Sequence, residues 1–222
     1  MLRKTEAICL KIFPWSRTSH IVLWLTPSGR VATSVKGAVR PKSMFLGQYD
    51  QNYTCEIVYY TNSRGSLHAL RECCPLNIRE SLRGNFRSLA LADYFRSIVG
   101  ELAPAGSECK EWYELLDQSL SALPQKGAER LLAQLLAFEM KVLSIVGLSP
   151  VIAGGDGTLE LRGERVMPVT EEIVQCLKSP LSEKKLQILL DSARVIGVFY
   201  KFHVDCASDV RRTVVSLISN NK

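Results

Sequence analysis

The sequence predicts an α+β protein in which a small barrel or sandwich of five short strands precedes a helical domain. Three observations carry this. Residues 1–80 fall into short runs rich in β-branched and aromatic residues, divided by turn residues and without a helix between them. From about residue 82 the apolar spacing changes from period two to that of a helix. The charge excess stops at the same place: residues 1–80 hold 11 Lys and Arg against 5 Asp and Glu, whereas residues 81–222 hold 17 of each. A domain boundary is therefore expected near residue 80, giving domains at 1–80 and 81–222.

Strands are expected at 5–13, 18–26, 30–36, 53–61 and 66–73. Pro27-Ser28-Gly29 and Asn62-Ser63-Arg64-Gly65 supply tight turns between the second and third and between the fourth and fifth. In the third strand Val31, Thr33 and Val35 belong to the core face, so Arg30, Ala32, Ser34 and Lys36 belong to the other. Further on, Leu91, Tyr94, Phe95, Ile98 and Leu102 form the stripe of an amphipathic helix that ends before Pro104. Leu131, Leu135, Phe138, Val142 and Ile145 form a second stripe. Helices are also expected at 108–123, 170–177, 182–202 and 207–219, with Ser182 as the N-cap of the third of these. Between them, residues 151–153 and 158–162 read as short strands joined by a Gly154-Gly155-Asp156-Gly157 turn, within a hairpin at 151–165.

At 222 residues, 46% hydrophobic and 23% charged, the composition is that of a folded globular protein. Met1 to Glu6 lead directly into alternating sequence, so no secretory signal is expected, and no apolar run approaches the roughly 18 residues of a membrane span. Seven cysteines without a C-x-x-C pair point to reduced thiols and a cytoplasmic location. Three scattered histidines give no metal-ligand spacing, and neither a metal nor a cofactor is expected. Catalytic constellations are absent: there is no G-x-S-x-G, Glu111, Glu114 and Asp117 have the helical spacing of a solvated face, and Cys73-Cys74 reads as the end of a buried strand.

The location of the positive charge suggests a polyanion as partner. Arg30 and Lys36 flank the small Ala32 and Ser34, which would let a phosphate backbone approach, and Arg40 and Lys42 continue the charge into a loop. Arg17 and Arg64 sit at turns that a barrel can bring to one rim. Trp15, Trp24, Phe45 and Tyr60 are candidates for base stacking, although core packing is the commoner role for any single one of them.

Two stretches carry a family resemblance. "KIFPWSRTSHIVLWLTPSGRVATSVKGAVRPKS", residues 11–43, resembles the opening of the RecO family of bacterial recombination mediators, with its Gly-Arg-Val strand leading to Lys-Gly-Ala-x-Arg. "FEMKVLSIVGLSP", residues 138–150, is similar to that family's central Phe-Glu helix with its Leu-Gly ending. The resemblance implies an N-terminal OB-fold and a C-terminal helical domain in a protein that is not an enzyme. It also implies binding of single- and double-stranded DNA, strand annealing, and work with RecR and the acidic tail of single-strand binding protein to load RecA at the nucleoid. The chain departs from the family twice. Residues 151–165 lack the four cysteines of a zinc hairpin, and Gly47-Gln48-Tyr49-Asp50-Gln51-Asn52-Tyr53 keeps little of a Gly-x-Leu-Gln-Pro-Phe stretch.

Gly-Gly-Asp-Gly-Thr at residues 154–158 also looks like the signature of NAD and lipid kinases. In those enzymes the loop follows a strand of an α/β domain, whereas here it follows a helical stripe and Pro150, with no second nucleotide motif. A kinase of that type and a generic single-strand-binding OB module are the alternative functions.

Overall fold

The computed structural model describes residues 1–105, 108–123, 127–153, 158–161, 164–204 and 208–219. They form two compact units, Met1–Glu80 with Arg96–Ser121, and Ser81–Phe95 with Ala122–Lys222.

In the first unit, strands β1 (Leu2–Pro14), β2 (His20–Thr26), β3 (Gly29–Val35), β4 (Thr54–Tyr60) and β5 (Leu67–Asn77) close into a barrel in the order β1-β2-β3-β5-β4. This is the five-stranded barrel of an OB-fold followed by helices, as the sequence predicts. Closure depends on β1, which is 13 residues long against seven for β2. Its first half pairs with β4 and its second half with β2, and a register shift between Cys9 and Lys11 bends it from one to the other. β5 runs four residues further than the sequence suggested. It passes through Pro75, which lies opposite Cys55 beside a register shift, where the missing N–H interrupts no regular ladder.

The alternation in β3 holds: Thr33 and Val35 are buried and Val31 packs against the interior cluster of Cys9, Val22, Trp24, Cys55 and Ile57. The Trp24 Nε1–H donates to Thr33 Oγ1 at 2.9 Å, so the one polar side chain on that face is satisfied. Burial pushes the Cys9 thiol up, and a hydrogen bond with the free Cys55 thiol together with burial does the same for Cys73, so both stay protonated.

Ile8, Leu10 and Leu25 have the opposite parity and are nevertheless buried. The end of helix α1 (Phe86–Leu102) and helix α2 (Lys110–Ser121) belong to the same unit. Arg96 donates from Nη1 to the Leu10 carbonyl, and the Cys109 N–H donates to the Pro27 carbonyl at 2.9 Å. The buried Arg79 donates to the Asn52 carbonyl at 2.5 Å, to Thr54 Oγ1 at 2.9 Å and to Asp117 Oδ1 at 2.5 Å. Asp117 is thus half of an ion pair and not part of a solvated face. Its helical spacing could not reveal a partner 38 residues away.

The second unit is built on helix α3 (Ala128–Ile145), whose Leu131, Leu135, Phe138 and Val142 are buried as their spacing predicts. Phe138 stacks on Phe95 with ring centroids 4.0 Å apart. The adjacent Glu139 is fully buried and accepts from Arg211 Nε at 2.7 Å, from Arg211 Nη2 at 2.9 Å and from the Tyr94 hydroxyl at 2.7 Å. Burial and the Glu139 charge push the Tyr94 phenol well above its ordinary range, so it stays a donor.

Helix α4 (Glu171–Lys178) is capped by Thr170, whose hydroxyl accepts from the Ile173 N–H at 3.4 Å. Ser182 does not cap α5 (Leu186–His203). It ends a separate short turn that Pro180 opens, and the Glu183 carboxylate takes the N–H groups of Lys184 and Lys185 instead, each at 2.8 Å. Helix α6 (Ser208–Ser219) closes the unit and carries Arg211.

Strands β6 (Val151–Ala153) and β7 (Thr158–Leu161) pair antiparallel as expected, and a third, β8 (Glu164–Pro168), adds to β7. β8 has no counterpart among the strands expected from the sequence, because its five residues, starting Glu164-Arg165, show no clear alternation. The Gly154-Gly155-Asp156-Gly157 turn and Arg162 lie outside the described residues. Among the described residues no helix is long and apolar enough to cross a membrane.

Candidate nucleic-acid interface

From Ala7 to Tyr49 the sequence holds six cations, Lys11, Arg17, Arg30, Lys36, Arg40 and Lys42, and no Asp or Glu. The barrel sorts them. Arg30 lies on the outward face of β3 and donates from Nη1 to the Gly100 carbonyl, one of the last carbonyls of α1, which have no partner within the helix. A cation there also complements the negative end of the helix dipole. Arg30 is therefore engaged in holding α1 and does not stand free on the face as its strand parity suggested.

Lys36, Arg40 and Lys42 are exposed on the loop that leaves β3, and Arg17 is exposed on the β1–β2 turn. The two segments are tied together. The Val39 N–H donates to the Thr18 carbonyl at 3.3 Å, and the Gly37 N–H donates to Ser19 Oγ at 3.3 Å. Gly37 turns the chain at φ +67°, and the Arg40 side chain folds across it so closely that a Cβ there would meet Arg40 Cδ at 3.3 Å. None of these four cations is in an ion pair among the described residues.

Arg64 is not at this end. β3 and β5 run parallel with Ala32 beside Leu67 and Ser34 beside Ala69, so the turn before Leu67 lies toward the Gly29 end of β3, away from Lys36. The single rim expected for Arg17 and Arg64 does not form, because the turn sequences carry no information about strand order.

The aromatic candidates divide as well. Trp24 and Phe45 are core residues, and Tyr60 is exposed beside Arg71, on the strand that leads into the Arg64 turn. Trp15 is 67% exposed, and its N–H donates to the Ser19 carbonyl at 2.9 Å within the same turn as Arg17. Phe13, which is not among the aromatic candidates named from the sequence, is 40% exposed and carries the Lys11 ammonium 5.0 Å from its ring centroid. The signal was present: Lys11, Phe13 and Trp15 alternate with apolar Ile12 and with Pro14. Across the sheet, Phe13 is in register with Ile21, Ser34 and Ala69, and Lys11 with Leu23, Ala32 and Leu67. These two rows of the outer face are thus mostly apolar and half-buried, with cations at one end.

The second unit has a groove of about 600 Å³ beside α3, whose lining includes Met140, Leu177, Pro180 and Leu181 and the cations Lys141 and Lys178. It combines an apolar base with positive charge.

Residues 83–153 match the family model described as recombination protein O, C terminal. The chain is similar to the DNA repair protein RecO of Moorella thermoacetica, at 29% identity over 150 residues, covering 67% of this chain and 54% of that protein. It is similar to the DNA repair protein RecO of Roseiflexus sp. at 28% over 170 residues, covering 75% and 59%. To the one from Salinibacter ruber it is 23% identical over 175 residues, covering 74% and 66%. The matched stretches thus span between about half and two thirds of the length of these relatives.

Proposed function

We propose that this chain, a member of the RecO family of DNA repair proteins, is a non-enzymatic recombination mediator whose barrel holds DNA by its phosphates. The observation that carries the reading is the set of four exposed cations, Arg17, Lys36, Arg40 and Lys42, without an ion pair among the described residues and on two segments hydrogen-bonded to each other. Charge of this kind binds single and double strands alike, since both present phosphates. The barrel at 1–80, in one unit with residues 96–121 and not set apart at residue 80 as the charge count suggests, then serves as the DNA-binding part, and the helices of the second unit carry partners. In the groove beside α3, Met140, Leu177 and Leu181 suit the apolar residues of the single-strand binding protein tail, and Lys141 and Lys178 suit its carboxylates. RecR is the second partner, and the joint task is loading of RecA in the cytoplasm, at the nucleoid.

Strand annealing tests this reading. The chain is expected to speed pairing of complementary oligonucleotides without ATP, and to do so on strands coated with single-strand binding protein. A passive OB module would coat the strands and slow pairing. ATP turnover that is lost on replacing Asp156 would select the phosphotransferase reading instead.

A further inference from the structure

We propose that Phe13 and Trp15 stack on the bases of a single strand whose phosphates lie against Arg17, Lys36, Arg40 and Lys42, so that this end of the barrel selects unpaired DNA. The inference rests on the DNA-binding reading above and adds to it a preference that phosphate contacts cannot supply.

Two large rings stand out in water here, 40% and 67% exposed, beside cations that form no ion pair among the described residues. Apolar rings on a globular surface commonly mark a binding site when they gather in one place. The charge around them sets the sign of the ligand: from Ala7 to Tyr49 there is no acidic residue. Phosphate alone leaves the rings unused, whereas a strand with its bases turned out presents a flat π face for each ring. A duplex buries those faces in its own stack, so it can use the cations and not the rings.

The surroundings fit. The Trp15 N–H is fixed to the Ser19 carbonyl, which holds the turn that carries both Trp15 and Arg17. Lys11 lies over one face of the Phe13 ring in the free chain, so a base that stacks on that face takes the place of the ammonium, which the flexible side chain can then offer to the adjoining phosphate. Beyond Phe13 the same row of the sheet continues with the half-buried Ile21 and then the small Ser34 and Ala69.

The test titrates the full chain with labelled oligothymidylate, with an abasic strand of equal length and with a duplex of equal length. The unaltered chain is expected to bind oligothymidylate about tenfold more tightly than the abasic strand. Phe13→Ala and Trp15→Ala should each weaken oligothymidylate binding about tenfold and leave abasic and duplex affinities unchanged, with Trp15→Phe restoring most of the loss. Because Trp24 and Trp112 are buried, oligothymidylate should also quench the fluorescence of Trp15 selectively, and Trp15→Phe should remove that quench. Equal affinity for oligothymidylate and the abasic strand, with both alanine variants unchanged, would overturn the stacking and leave the phosphate reading standing. No binding of any of the three would overturn both.

Discussion

Reversing Lys36, Arg40 and Lys42 together to Glu is expected to abolish saturable binding of a labelled oligonucleotide at physiological salt, a loss of at least about a hundredfold. The change replaces three attractive charges with three repulsive ones on the loop that is hydrogen-bonded to the Arg17 turn. All three side chains are exposed and none takes part in an ion pair among the described residues, so thermal unfolding should change little, by about 0.5 kcal/mol per site or less. Arg64→Glu is the matched control, since it alters an exposed cation at the other end of β3 and should cost far less affinity. Unchanged affinity in the triple variant would sink the assignment of this surface.

The largest effect on stability is expected at Glu139. Glu139→Ala leaves the Arg211 guanidinium buried without its carboxylate and the Tyr94 hydroxyl without its acceptor. Breaking a buried pair on one side costs about 3–5 kcal/mol, which corresponds to a fall in Tm of about 10 °C for a chain of this size. Arg211 has no room to rearrange toward Gly197, where even a Cβ would press on its guanidinium. Its remaining bond, from Nη2 to the Ala193 carbonyl at 2.8 Å, does not offset the charge. Replacing both partners with apolar residues, as Glu139→Leu with Arg211→Met, should recover much of the loss, because no uncompensated charge is then left inside. A single variant as stable as the parent by thermal unfolding would refute the pair's role.

The barrel was legible because its information is local. Val31, Thr33 and Val35 alternate within one strand, Pro27-Ser28-Gly29 makes a turn wherever it stands, and the five strands have no helix among them to suggest another class. The helix stripes at Leu131 to Ile145 were legible for the same reason. What escaped depends on partners far along the chain. Arg30 is occupied by a carbonyl 70 residues away, and Asp117 by a guanidinium 38 residues away. No window of sequence contains both members of either pair. The position of Arg64 required the parallel pairing of β3 with β5, a property of the closed barrel and not of the turn. The aromatics were half legible. Trp24 shares the parity of the buried Val22 and could have been assigned to the core, whereas Trp15 follows Pro14 into a turn that also holds Arg17, and that neighbourhood marks it as exposed.

The salt dependence of binding tests the central claim most directly, because it counts phosphate contacts without reference to sequence. If the barrel engages roughly four to six phosphates, log K for a single-stranded oligonucleotide should fall against log salt with a slope of about −3 to −4. An affinity that does not change with salt would contradict a cationic DNA surface on this barrel.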